Sequence, residues 1–303
     1  MKVRFGIMAD AHVDFIHDGE KRVNTFLNAC QENKCDFCID LGDFCPPSNT
    51  NRKIKENILK TLKKYPIPFY YIIGNHDTDN NEKDTVRAYL KCTNQKKSFD
   101  FGGVHFMLVD ACAYREGKQE FEYNNGNYKN TCGEIPILTE NELSFIKKDL
   151  NSTNYPTVVF SHQSLIESRT GIKNPEQLRE IFKTAKNKVL LCICGHEHVD
   201  RLEQKDGVYY LCLNSMSYYY AGEQYTHNTY DESITKKYSV LKKVFPYKEP
   251  LFAIIEIDDN EIRVLGRESE IVGALPESLS FEKKGLVDPI TATIKNRTLP
   301  IIK

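Results

Sequence analysis

Short apolar runs alternate along this chain with stretches of helical period. Runs of consecutive or alternating apolar residues predict strands over 3–9, 36–41, 67–73, 104–109, 157–160, 188–194, 208–213, 251–257 and 261–265. Between them, Val23, Phe26, Leu27 and Cys30 recur at helical spacing, as do Ile54, Ile58, Leu59 and Leu62. A third helix begins at Thr139, where Thr139 and Glu142 stand at capping-box spacing and Leu143, Ile146 and Leu150 form the apolar stripe. A fourth has Asn174 as its cap and Pro175 at its first position, followed by Leu178, Ile181, Phe182 and Ala185. This alternation predicts an α/β fold whose sheet is substantially parallel.

Two segments break the rhythm. Residues 111–136 are rich in Asn, Gly, Tyr and charge without periodicity, and read as a long loop. Residues 214–248 carry Tyr218, Tyr219, Tyr220, Tyr225 and Tyr230 and show no strand alternation. Segments this long inside a compact domain serve as lids or binding walls, or are plain surface insertions. Beyond Gly273 the chain reads as an extended arm with one strand at Ile290–Ile294. There are no internal repeats, so the expected organisation is one domain over 1–272 with a C-terminal arm over 273–303.

Composition narrows the classes. The 303 residues include 41 Lys+Arg against 42 Asp+Glu, and the resulting net charge of −1 argues against a nucleic-acid polymer or an anionic membrane as partner. The longest clean apolar run, Val189–Cys194, is far below the ~18 residues of a membrane helix. Residues 2–8 read as a strand rather than a signal peptide, so with Met1 as the native start the expectation is a cytoplasmic protein. Of ten cysteines, Cys38, Cys192, Cys194 and Cys212 fall within apolar strands, where a thiol behaves as a small hydrophobe. Cys35 and Cys38 make a CxxC that runs into a strand instead of opening a helix and has no second pair at zinc spacing, so packing is its expected role.

Five polar motifs each follow an apolar strand directly: Asp10-Ala11-His12, Gly42-Asp43, Gly74-Asn75-His76-Asp77, His162, and Gly195-His196-Glu197-His198. In an open α/β sheet, ligands bind at the carboxyl ends of strands, so five such endings can converge on one crevice. Singly, each motif could be a turn. Together, two carboxylates, one amide and four imidazoles offer the oxygen and nitrogen donors of a two-metal site.

The ordered set DxH…GD…GNHD…H…GHxH resembles the calcineurin-like metallophosphoesterases and spans residues 10–198. The resemblance implies a two-sheet β-sandwich flanked by helices, with a dinuclear site at one edge and 1–272 as the catalytic domain. It implies Asp10, His12 and His198 on one metal, Asn75, His162 and His196 on the other, Asp43 bridging both, and a bridging hydroxide as nucleophile. Manganese, iron or zinc would suit such a shell. His76, beside Asn75 but outside the ligand set, is placed to protonate a leaving oxygen or to steady the transition state, and Asp77 to orient its ring. Tyr218, Tyr219 and Tyr220 are expected to wall the substrate pocket.

Departures from individual branches narrow the substrate. Gly42-Asp43-Phe44-Cys45-Pro46-Pro47 lacks the GDxVDRG continuation of protein Ser/Thr phosphatases, and GNHD replaces their GNHE. His12 argues against the purple acid phosphatases, which have DxG. GNHD with DxH resembles the bacterial branch that includes class III cyclic-nucleotide phosphodiesterases. The expected activity is hydrolysis of a small phosphorylated molecule, as a phosphodiesterase or phosphomonoesterase. The alternatives are a nuclease or pyrophosphatase, or a catalytically silent scaffold of the same fold. The sequence does not indicate the oligomeric state. Arg115, Lys118 and Lys129 sit among Glu116, Glu120 and Glu122, which disfavours a nuclease, and the complete ligand set disfavours a scaffold.

Overall fold

The computed structural model describes residues 1–44, 52–130, 134–185, 188–279, 281 and 289–301. Cys45-Pro46-Pro47, Cys132 and the middle of the C-terminal arm lie outside the described residues. In chain order the strands are β1 (Lys2–Met8), β2 (Phe37–Asp40), β3 (Phe69–Tyr71), β4 (Ser98–Phe101), β5 (Val104–Leu108), β6 (Ala113–Glu116), β7 (Gln119–Glu122) and β8 (Thr157–Phe160). There follow β9 (Val189–Cys194), β10 (Arg201–Lys205), β11 (Val208–Cys212), β12 (Tyr218–Tyr220), β13 (Val244–Pro246), β14 (Ala253–Asp258), β15 (Glu261–Leu265) and β16 (Arg297–Pro300). The helices are α1 (Gly19–Glu32), α2 (Arg52–Leu62), α3 (Lys83–Leu90), α4 (Glu140–Ser152), α5 (Pro175–Thr184) and α6 (Glu232–Lys237).

Two six-stranded sheets carry the fold, ordered β16-β15-β14-β1-β2-β3 and β10-β11-β9-β8-β5-β4. β1, β2 and β3 run parallel in the first, and β5, β8, β9 and β11 run parallel in the second. The sheets face each other across a core built from the inward residues of both: Phe5, Ile39 and Ile255 from one, Phe106, Phe160 and Ile193 from the other. Phe5 is its centre, stacked on Phe37 at 4.9 Å and meeting Phe106 and Phe160 edge-on at 5.6 Å each. Because strand side chains alternate, the neighbours of Phe5 face outward. A Cβ on Gly6 would stand 2.2 Å from Cys30 Sγ, so only glycine lets α1 lie this close. Met8, Cys38 and Ile254 meet α1 and α2, while Met107, Val159 and Cys192 meet α4 and α5. The layers are therefore helix, sheet, sheet, helix, and the chain has the expected α/β sandwich flanked by helices.

The three edge strands missed in the sequence share a physical reason. β4, β10 and β16 are sheet edges, covered on fewer sides, and their polar sequences (RLEQK in β10) blur the apolar pattern. The predicted strand Ile290–Ile294 is corrected: Ala292 and Ile294 are buried there, but the regular pairing with β15 is made by Arg297–Pro300. Residues 111–136 are not an aperiodic loop, since β6 and β7 form a hairpin and Tyr123 and Tyr128 are buried beside it. Likewise 214–248 contains the β12–β13 ladder and α6. The capping box is only half made. Thr139 Oγ1 accepts from Glu142 N at 3.2 Å, but the Glu142 carboxylate turns to Asp110 N and Lys97 instead of returning to the helix start. At α5, Asn174 stands at the cap position while its amide bonds the backbone of Leu138. The eight described cysteines are free, with Cys35 and Cys38 buried as packing residues. Among the described residues no helix is long and apolar enough to cross a membrane.

Phe5→Ala removes the ring that joins the two sheets and should lower stability by about 3–5 kcal/mol in urea denaturation. A loss below about 1 kcal/mol, which solvent-exposed sites show, would contradict the enclosed position described here.

Candidate metal centre

The five motifs emerge at the carboxyl ends of β1, β2, β3, β8 and β9, and the backbone turns sharply as it leaves those strands. Asp10, His12, Asp43, His196 and His198 all adopt left-handed φ, at 51°, 43°, 55°, 68° and 52°. Such conformations cost non-glycine residues of order 1–3 kcal/mol each and persist only where the surroundings enforce them. Asp and His tolerate them better than branched residues do. The enforcing contacts are between motifs: Asp10 N donates to Gly42 O, His12 N to Asp43 O and Gly195 N to His162 O, each at 3.0 Å. Gly42 itself has φ 104°, and a Cβ there would stand 2.7 Å from both Gly74 N and His162 Nδ1.

Each carboxylate divides its oxygens between backbone and site. Asp10 Oδ2 accepts from His196 N at 2.9 Å, while Oδ1, buried without a hydrogen-bond partner among the described residues, lies 3.3 Å from His198 Nε2. Asp43 Oδ1 accepts from His76 N at 2.8 Å, while Oδ2 lies 3.4 Å from His162 Nε2 and 3.8 Å from His12 Nε2. His162 Nε2 is also 2.9 Å from Asn75 Oδ1 and 3.2 Å from His196 Nδ1. The second nitrogens of two rings are fixed elsewhere, His162 Nδ1 on Leu41 O at 2.9 Å and His198 Nδ1 on Tyr218 O at 2.7 Å. Donating those N–H groups leaves the Nε2 lone pairs turned inward, as imidazole ligands require. Lone pairs thus converge on lone pairs, an arrangement that calls for cations between them. Asp10, His12 and His198 bring their ligand atoms within 4.8 Å of one another, and so do Asp43, His162 and His196. The donor chemistry fits two transition-metal ions.

Charge inside the site agrees. Burial alone would push the Asp43 carboxyl upward, but His162 and His76 outweigh it and hold it well below the usual range. Asp10 is similarly lowered, with His198 overcoming burial. Burial drives His12 down to about 3, so it is neutral at physiological pH. His162, by contrast, is raised to about 10, because Asp43 overrides its burial and a proton takes the place a cation would fill.

His76 lines the same cavity, about 520 Å³ in volume. The expectation that Asp77 orients its ring is corrected. Asp77 is wholly buried, and its Oδ2 accepts from Asp43 N and Gly74 N, each at 2.9 Å. The His76 ring is held by Asp79, whose Oδ2 is 3.0 Å from Nδ1. The sequence signal was the i, i+3 spacing, since residues 76–78 form a 3₁₀ turn that puts 76 and 79 on one face. Although burial opposes it, Asp43 and Asp79 raise His76 to about 9, so it keeps its proton at neutral pH.

Tyr218, Tyr219 and Tyr220 line the cavity together with Phe15. Their environments differ: Tyr218 stacks on His12 at 5.2 Å, Tyr219 is buried against the sandwich core, and Tyr220 is exposed. Glu134 is an unforeseen member, with Oε2 3.6 Å from His196 Nε2, and Arg169 and Glu197 also line the cavity. The other three histidines serve elsewhere. His105 joins Asp100 to Asp149, His17 lies against Tyr230, and His227 bonds Tyr225 O.

Residues 3–200 match the calcineurin-like phosphoesterase family. Among solved structures, a dimetal phosphatase from Danio rerio is similar with a TM-score of 0.66 at 12% identity, over 99% of each chain. GAP50, the anchor in the inner membrane complex of Plasmodium, has a TM-score of 0.55 at 15% identity, over 100% of this chain and 90% of its own. A purple acid phosphatase from yellow lupin, Lupinus luteus, reaches 0.50 at 13% identity, over 97% of this chain and 53% of its own. At these identities the likeness is one of fold. No curated protein sequence matches the chain significantly. The family match takes in every strand-end motif from Asp10 to His198, and the chain belongs to the calcineurin-like phosphoesterase family.

Proposed function

We propose that the chain hydrolyses esters of small phosphorylated molecules at the centre formed by Asp10, His12, Asp43, Asn75, His162, His196 and His198. One observation carries this reading: two clusters of inward-facing donors are joined through a single carboxylate oxygen, Asp43 Oδ2. Asp10, His12 and His198 would hold one divalent ion, and Asn75, His162 and His196 the other. Manganese, iron or zinc suits this set, and such a pair supplies Lewis-acid charge and a water acidified towards neutral pKa.

The remaining work falls to the chain itself. Asp43 and Asp10, kept ionised, anchor positive charge where phosphate oxygens must sit. His76 lines the cavity with Nδ1 tied to Asp79, and it holds a proton that a departing alkoxide needs. The tyrosine wall offers apolar surface for the organic part of the ester. Hydrolysis of p-nitrophenyl phosphate, its bis ester and cyclic nucleotides with Mn²⁺, against a chelated control, tests the reading and separates monoester from diester preference. No turnover of any of these by the Mn²⁺-loaded protein would count against it.

The charge states give a check without substrate. Because metal-free His162 carries a proton up to about pH 10, Mn²⁺ binding at pH 7 should release about one proton, seen in calorimetry as an enthalpy that depends on the buffer. Apparent affinity should rise with pH below 10; an affinity flat from pH 6 to 9 would contradict the assignment. Asp43→Asn removes a charge shared by both clusters, so bound metal and turnover should fall together. Two ions per chain with wild-type turnover would refute the bridging position. His76→Ala should keep both ions and lose roughly 10²–10⁴-fold in kcat on alkyl phosphates. The loss should be small on p-nitrophenyl phosphate, whose leaving group departs unprotonated; equal losses would point to charge stabilisation instead.

A further inference from the structure

The segment over 111–136 is packed onto the turn that carries Asn75 and His76. Gly126 N donates to Thr78 O at 2.9 Å, Asn125 N to Asn81 O at 3.0 Å, and Asn124 Oδ1 accepts from Lys83 N at 3.0 Å. Inside this contact the Tyr128 ring is buried and stacked on Tyr123, with centroids 4.5 Å apart and planes within 17°. Its hydroxyl meets Asn75 itself and Asp79, the carboxylate that holds the His76 ring. It donates to Asp79 Oδ1 at 2.5 Å, and Asn75 Nδ2 donates to it at 3.4 Å.

The directions of these bonds follow from chemistry. An ionised carboxylate only accepts, so the Tyr128 proton must point at Asp79. The hydroxyl's lone pairs are then left for an N–H, and the Asn75 amide must turn its nitrogen towards Tyr128 and its Oδ1 inward to His162. On the other side, Asp79 Oδ2 can only accept from His76, which holds the ring by its Nδ1–H and leaves Nε2–H for the cavity. Lys129 Nζ, 2.8 Å from Asp79 Oδ1, adds charge but has no lone pair to offer Asn75. One hydroxyl therefore sets an amide and, through one carboxylate, an imidazole.

We propose that Tyr128 is a positioning residue that holds the Asn75 carbonyl oxygen towards the metal centre and, through Asp79, holds the His76 ring towards the leaving group. The inference rests on the hydrolase reading above. It makes this insertion a fixed brace for the reaction rather than a loop over it.

The test compares wild type with Tyr128→Phe, which keeps the stacked ring and removes only the hydroxyl. Tyr114→Phe, in the same aromatic cluster, is the control. Metal-free proteins are titrated with Mn²⁺ by calorimetry, then assayed at saturating Mn²⁺ on p-nitrophenyl phosphate and phenyl phosphate. Tyr128→Phe should bind two ions, one of them about 10-fold or more weakly, with the other unchanged. Its kcat should fall about 10- to 100-fold at unchanged KM, and further on phenyl phosphate, the poorer leaving group. Tyr114→Phe should match wild type in every readout. A Tyr128→Phe protein with the wild-type isotherm and kcat, beside an active wild type, overturns the inference alone. Equal losses in Tyr114→Phe also overturn it, because they would show a generic packing effect. A wild-type chain that takes up no Mn²⁺ overturns the hydrolase reading and the inference with it.

Discussion

The Asp43 carboxylate is the joint on which the site is assembled. One oxygen takes the His76 amide and so fixes the turn after β3; the other faces His12 from the β1 end and His162 from the β8 end. Three strand ends from two sheets therefore meet on one side chain. Asp10 repeats the arrangement with His196. A buried carboxylate is costly unless it is paired and hydrogen-bonded, and here each has one oxygen held by a backbone N–H while the other is left beside imidazole nitrogens. The same division leaves one oxygen per carboxylate facing the site, which is what metal ligation needs.

That geometry requires backbone that most sequences avoid. Five of the seven proposed ligands stand in left-handed conformations, a concentration of strain that only a rigid frame can hold. The frame is the aromatic core between the sheets, where Phe5, Phe37, Phe106 and Phe160 lock β1, β2, β5 and β8 in relative position. Packing at crystal-like density resists small shifts, so the strand ends keep their spacing and the turns keep their strain.

Two segments outside the sandwich complete the cavity in different ways. The stretch over 214–248 contributes surface: Tyr218 lies flat on His12 while its own carbonyl accepts from His198. The stretch over 111–136 contributes polar contacts to the Asn75–Asp79 turn. Both are tied down by short ladders and buried tyrosines, which gives them defined positions.

Much of this was legible in the chain. The inner strands, buried on both faces, announce themselves as apolar runs, and the outer helices as stripes such as Val23, Phe26, Leu27 and Cys30. The five motifs were legible for the same reason, because each interrupts an apolar run at the point where a strand must end. The edge strands β4, β10 and β16 were not, since an element half in water has no need of an apolar pattern. Nor was the partner of His76: Asp77 is adjacent in sequence, but the 3₁₀ turn buries it under Asp43 and brings Asp79 to the ring. Glu134 and Tyr128 lie in a segment with no periodicity at all, and their places follow from how that segment docks. The sequence by itself determined which residues could be ligands and that they stand at strand ends, because local patterning encodes element type and burial. Only the tertiary structure decided which oxygen of each carboxylate faces inward, which nitrogen each imidazole presents and which acid holds His76, because hydrogen-bond direction depends on partners that the fold brings in from distant parts of the chain.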